Sequence, residues 1–239
     1  MINSIAKRAM HALLDTGLGA IDYYRFPELQ NQWGGPFNGQ SARCNLFHAI
    51  VRACRPTAII ETGTYRGDTT DYMACAVDVP IYSVEFLRRN FGFATARLWG
   101  HRHVHLARGD SRFFLSKLLQ SGCLNRGTTF VYLDAHWNDE LPLFEEIALI
   151  FSKMPSAVVM IDDFEVPWDM GYGFDDYGSG KSLKLDYILP SIKKFSLVVF
   201  GPSTASQYET GARRGCLVLS DKTMALALDK LALLIRHKI

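Results

Sequence analysis

Two short stretches of the chain place acids and an imidazole at the ends of apolar runs. Leu-Asp-Ala-His-Trp (133–137) closes one run with Asp134 and His136, and Met-Ile-Asp-Asp-Phe (160–164) closes another with Asp162 and Asp163. If the runs are neighbouring strands, about 4.8 Å apart, their terminal carboxylates converge on one point and call for a cation. Asp134, Asp162 and Asp163 would make an all-oxygen set, which suits Mg²⁺ or another hard divalent cation such as Mn²⁺ or Ca²⁺ rather than zinc. An ion there orients a substrate hydroxyl and lowers its pKa. His136 is the candidate general base, because an imidazole titrates near neutrality, and Asp134 is the other candidate. The plainer readings are turn formation for the aspartates and hydrogen bonding behind a metal for His136.

A second set of residues suits a nucleoside. Glu-Thr-Gly-Thr-Tyr-Arg-Gly-Asp-Thr-Thr (61–70) follows an apolar run, with Gly63 and Gly67 supplying a tight turn into a helix that opens at Asp68 or Thr69. Such a turn lets a ligand lie against bare backbone. Glu85 ends the next run about 20 residues later, where an acid reaches ribose hydroxyls. Asp110 and Ser111, in Arg-Gly-Asp-Ser (108–111), open a further helix on the same edge, where they either face an adenine or simply cap the helix. Tyr65 occupies the place where a dinucleotide site needs its middle glycine, and no P-loop lysine is present, so a phosphate-free nucleoside fits best.

These residues need a sheet whose strands all end on one side. From about residue 42, strand-like runs at 57–61, 81–85, 103–107, 129–134 and 157–162 alternate with helical patterns at 68–77, 87–98, 111–120 and 141–151. That alternation predicts an α/β fold: a doubly wound, Rossmann-like sheet, mostly parallel, with helices on both faces. A helix at about 182–194, strands at 195–201 and 214–220 forming a C-terminal antiparallel hairpin, and a last amphipathic helix at 221–236 complete it. Two parts break the pattern. Residues 1–41 form an aromatic, turn-rich extension before the 42–239 domain, either a cover for the site or a partner, or an ordered surface tail. Residues 164–181 form a lid-like insertion whose Trp168, Tyr172, Phe174 and Tyr177 either enclose an acceptor or pack on the domain.

Composition narrows the classes. A net charge of +2 over 239 residues, with dispersed Lys and Arg, argues against a nucleic-acid or anionic-membrane partner. Five scattered cysteines without a C-x-x-C indicate neither a disulfide framework nor a zinc cluster, and no run has signal-peptide or membrane-spanning form, so a cytoplasmic location is expected.

Over residues 42–220 these motifs resemble class I S-adenosylmethionine-dependent methyltransferases, and especially the cation-dependent O-methyltransferases acting on small molecules and on sugars of natural products. The resemblance implies S-adenosylmethionine as cofactor, with Glu61, Gly63, Thr64 and Gly67 at its methionine end, Glu85 at the ribose, and Asp110 and Ser111 at the adenine. It implies Asp134, Asp162 and Asp163 as metal ligands and a small hydroxylated acceptor as partner, with a homo-oligomer left open. The lysine that catechol-type relatives carry after the first aspartate is replaced here by His136, Trp137 and Asn138. The competing expectations are a metal-independent N- or C-methyltransferase, a cofactor-binding domain without catalysis, and, weakest, a nicotinamide oxidoreductase.

Overall fold

The computed structural model describes residues 4–124, 127–136, 141–178 and 180–239, with side chains from residue 14 onward. The runs that become β1 (Ala58–Thr62), β4 (Thr129–Leu133) and β5 (Val158–Asp162) are buried along their whole length. Strands apolar on both faces need helices on both faces. Alternate residues accordingly feed two cores. Ile60, Val131, Val159 and Ile161 pack with side chains of α6 (Ser111–Gln120), α7 (Leu143–Lys153) and α8 (Leu185–Phe195). Ile59, Phe130, Val158 and Met160 pack on the other face with α3 (Ser41–Cys54), α4 (Asp68–Ala76) and α9 (Lys222–Leu228).

Among the described residues the sheet has eight strands in the order β3-β2-β1-β4-β5-β7-β6-β8. β2 (Ile81–Glu85), β3 (Val104–Arg108) and β6 (Val198–Pro202) run with the central strands, whereas β7 (Cys216–Ser220) and β8 (Leu234–His237) run against them. The expected hairpin of β6 and β7 is present, with β7 inserted between β5 and β6. The expected last helix is shorter: α9 stops at Leu228, and Leu234–His237 becomes a strand on the open edge of β6. Among the described residues no helix is long and apolar enough to cross a membrane.

Register places the site. Thr62 pairs with both Val84 and Leu133, and Leu133 pairs with Ile161. One residue further along, Gly63, Glu85, Asp134 and Asp162 therefore stand level at the same edge.

The N-terminal segment is packed onto this frame. α1 (Ser4–Arg25) lies on α5 (Arg88–Arg97), and Arg89 Nε donates to Asp22 at 2.6 Å. A Cβ on Gly92 would overlap the Thr16 carbonyl, so the small residue sets the helix separation. In the single turn α2 (Pro36–Gly39), Phe37 and Asn38 hold left-handed φ values of 50° and 60°. Phe37 is buried against Tyr132, ring centroids 5.2 Å apart. The 164–181 insertion is also tied down: Phe164 N–H donates to Gly215 O, Gly173 N–H to Arg213 O, and Asp175 N–H to Asp163 O. Tyr172 is buried with its hydroxyl on Thr204 O, while Trp168 stacks on His237.

Candidate active site

The glycine turn is built against the end of β4. Gly63 has φ 82°, and a Cβ on it would overlap the Asp134 carbonyl; Gly67, with φ 79°, precedes α4. Thr64 Oγ1 lies 2.6 Å from Ser83 Oγ, which pins the turn to β2. Glu85 accepts the Tyr65 N–H and the Leu87 N–H, both at 2.7 Å, so its carboxylate closes the turn from the neighbouring strand. Burial pushes Glu85 up to about 7. The Asn90 side chain and the Phe86 N–H also lie against this carboxylate.

Three expected cofactor residues have protein partners: Glu61, Ser111 and Asp110, the last taking the helix-capping role that was one of its two expected readings. Glu61, 1% exposed, accepts hydrogen bonds from the Thr70 and Ser83 hydroxyls. It holds α4 and β2 to β1 from beneath the turn instead of lining it, and burial pushes it up to about 7. Ser111 is buried beside Glu146 of α7, whose carboxyl burial raises to about 6. Asp110 caps α6 through the Arg112 N–H at 2.8 Å and pairs with the Arg112 guanidinium, which lowers its pKa.

At the level of the turn the acids divide into two groups. Asp162 is 1% exposed and committed elsewhere: it pairs with Arg43, and Asn38 Nδ2 donates to its second oxygen at 3.0 Å. Asp134, His136 and Asp163 instead bring one ligand atom each within 4.8 Å of one another. Of the three expected aspartates, Asp162 is paired with a buried arginine of α3, while Asp134 and Asp163 converge with His136. Asp163 is held at a left-handed φ of 50° and pairs with Arg214.

His136 is the centre of the second group. Its side chain is 3% exposed, and Nε2 lies 3.7, 3.8 and 3.9 Å from oxygens of Asp134, Asp163 and Asp175. That nitrogen is buried without a hydrogen-bond partner. Arg214 Nε donates to Asp163 at 2.7 Å, and its Nη2 pairs with Asp175, whose other oxygen accepts the Tyr177 hydroxyl. One guanidinium, pairing Asp163 and Asp175, faces three carboxyl groups. Burial, followed by the charges of Asp162, Asp163, Glu61 and Asp175, pushes Asp134 well above the usual carboxylate range. An orphaned imidazole nitrogen amid excess carboxylate fits a divalent cation, and a mixed donor set suits a first-row transition ion better than Mg²⁺.

Arg43, Asn38, Asp175 and Arg214 were not singled out from the sequence. Arg43 had a signal: it shares the apolar stripe of α3 with Leu46, Phe47 and Ile50, where a charge needs a buried partner. Trp137 and Asn138 lie outside the described residues.

No protein-family model matches the chain, and no curated protein sequence matches it. Solved structures do. An O-methyltransferase from Bacillus cereus in complex with SAH matches 76% of this chain and 81% of its own, at 14% identity and a TM-score of 0.53. The methyltransferase domain of bacterial CtHen1 (CN form) matches 75% and 97%, at 14% identity and a TM-score of 0.54. The O-methyltransferase TomG from Streptomyces achromogenes, involved in tomaymycin synthesis and crystallised with SAM, matches 75% and 79%, at 17% identity and a TM-score of 0.50.

The fold is that of the class I methyltransferases. The glycine turn after β1, the acid that ends β2 and the ends of β4 and β5 lie side by side at one edge of the sheet. The cluster around His136 thus borders the Gly63–Gly67 turn, with Gly63 packed on the Asp134 carbonyl.

Proposed function

We propose that the protein is an S-adenosylmethionine-dependent methyltransferase that transfers a methyl group to a hydroxyl of a small molecule, assisted by a divalent cation. The observation that carries this reading is the buried, unpartnered Nε2 of His136 among Asp134, Asp163 and Asp175, adjoining the glycine turn. The turn supplies bare backbone for the amino-acid end of the cofactor, and Glu85 supplies acceptors for its ribose. Bound there, the sulfonium supplies an already activated methyl group.

The chain's own task is to align and deprotonate the acceptor. Asp134 and Asp163 would hold the cation together with His136, or His136 would stay free of it and take the hydroxyl proton as base. Arg214 fixes Asp163 and Asp175, so the carboxylates keep their places when the charge above them changes. Neighbours crystallised with SAM and SAH support the cofactor assignment. The test is methyl transfer from labelled S-adenosylmethionine to a panel of vicinal diols and phenols, with Mn²⁺ or Mg²⁺ and with chelator. The reading predicts turnover that chelator removes and that His136→Ala lowers by about 10²–10⁴-fold, the usual range for a general base. Turnover insensitive to chelator would replace the metal-assisted route by a metal-independent one.

A further inference from the structure

We propose that Asp71, Cys75 and His101 form a zinc-binding site between α4 and the connection that leads into β3. One donor atom from each lies within 4.8 Å of the others. Asp71 and Cys75 are four residues apart on α4, so their side chains project from one helix face one turn apart. His101 arrives from the connection between α5 and β3, just ahead of Val104, and its Nε2 is 2.7 Å from Asp71 Oδ1. α4 starts at the turn and runs back across the sheet, which carries Cys75 to the end where β3 begins.

The donors decide the ion. A thiolate, an imidazole and a carboxylate are the ligand types of zinc, whereas Mg²⁺ and Ca²⁺ take oxygen. Zinc bonds of about 2.0–2.3 Å in a tetrahedron put donors roughly 3.3–3.8 Å apart, so modest side-chain rotation closes the site, with water in the fourth position. Cys75 is exposed and Asp71 and His101 are partly so, which leaves an entry path. The His101 ring is walled by His103, ring centroids 5.9 Å apart, and His103 is itself anchored to the Ala74 carbonyl at 3.2 Å. Metal here would staple α4 to the start of β3, bracing the helix that carries the turn at its other end. The Asp134 cluster contains no thiol, which makes the two sites separable by spectroscopy.

The test is a cobalt and zinc titration of the reduced, metal-free protein. The proposal predicts one equivalent of Co²⁺ giving a thiolate-to-cobalt charge-transfer band that Zn²⁺ displaces. Cys75→Ser abolishes the band, and His101→Ala weakens Zn²⁺ binding by more than the roughly 10–100-fold typical of losing an outer partner. Asp163→Asn, in the other cluster, leaves the band intact. Absence of the band in the unaltered protein, or its survival in a Cys75→Ser variant with native circular dichroism, overturns the site. Neither result bears on methyl transfer, so this proposal and the proposed function fail separately.

Discussion

At the scale of single residues, two buried groups dominate. Arg43 and Asp162 are 3% and 1% exposed and pair with each other, so each is tolerable only because the other is present. Arg43→Met strands a buried carboxylate and is expected to cost about 3–5 kcal/mol, read by urea unfolding, whereas Arg43→Met with Asp162→Asn recovers most of the loss. For Glu61, burial favours the protonated form. Its folded pKa is about 7, against about 4.3 in the unfolded chain. Between those values the folded state binds more protons, so stability falls as pH rises. Glu61→Gln is expected to flatten the decline between pH 5 and pH 7, worth about 2 kcal/mol over that range, in urea midpoints measured across it. The sequence placed Glu61 and Asp162 correctly at strand ends but could not say which way they turn, because that depends on Thr70 and Arg43 on helices packed from outside.

At the scale of elements, what was legible is what burial dictates. β1, β4 and β5 were readable because apolar runs covered on both faces leave little choice of structure, and β3, which is not buried, was readable from its place in the alternation. The last segment was misread because Leu231, Leu233 and Leu234 fit a helical period as well as a strand, and the open edge of β6 decides the matter by pairing Val199 with His237. The docking of α1 rests on close approach at Gly92. Gly92→Ala drives a methyl group into the Thr16 carbonyl and is expected to destabilise the α1–α5 contact by about 1–3 kcal/mol. Hydrogen exchange reads this as faster exchange over residues 14–25 with protection of β1, β4 and β5 unchanged.

At the scale of the whole molecule, the site is a convergence of distant segments. Asn38 comes from the N-terminal turn, Arg43 from α3, Asp175 from the 164–181 insertion and Arg214 from the approach to β7. The strand-end residues were legible because alternation of strands and helices fixes where strands end; these partners were not, because only tertiary packing brings them in. Burial and the neighbouring carboxylates raise the Asp134 pKa, so the proposed cation would bind there with a pH-dependent affinity. Protons compete for Asp134, so divalent-cation affinity is expected to rise with pH; Mn²⁺ titrations at pH 6 and pH 8 read the difference.

The central claim, that the glycine turn and Glu85 hold a methyl-donor nucleoside, is tested most directly by calorimetric titration with S-adenosylmethionine, beside NAD⁺ and repeated on Glu85→Ala. The account predicts saturable binding of S-adenosylmethionine, none of NAD⁺, and at least about tenfold weaker binding in the variant, the equivalent of about 1.4 kcal/mol. A folded protein that binds no S-adenosylmethionine, or binds it equally well without the Glu85 carboxylate, would contradict it.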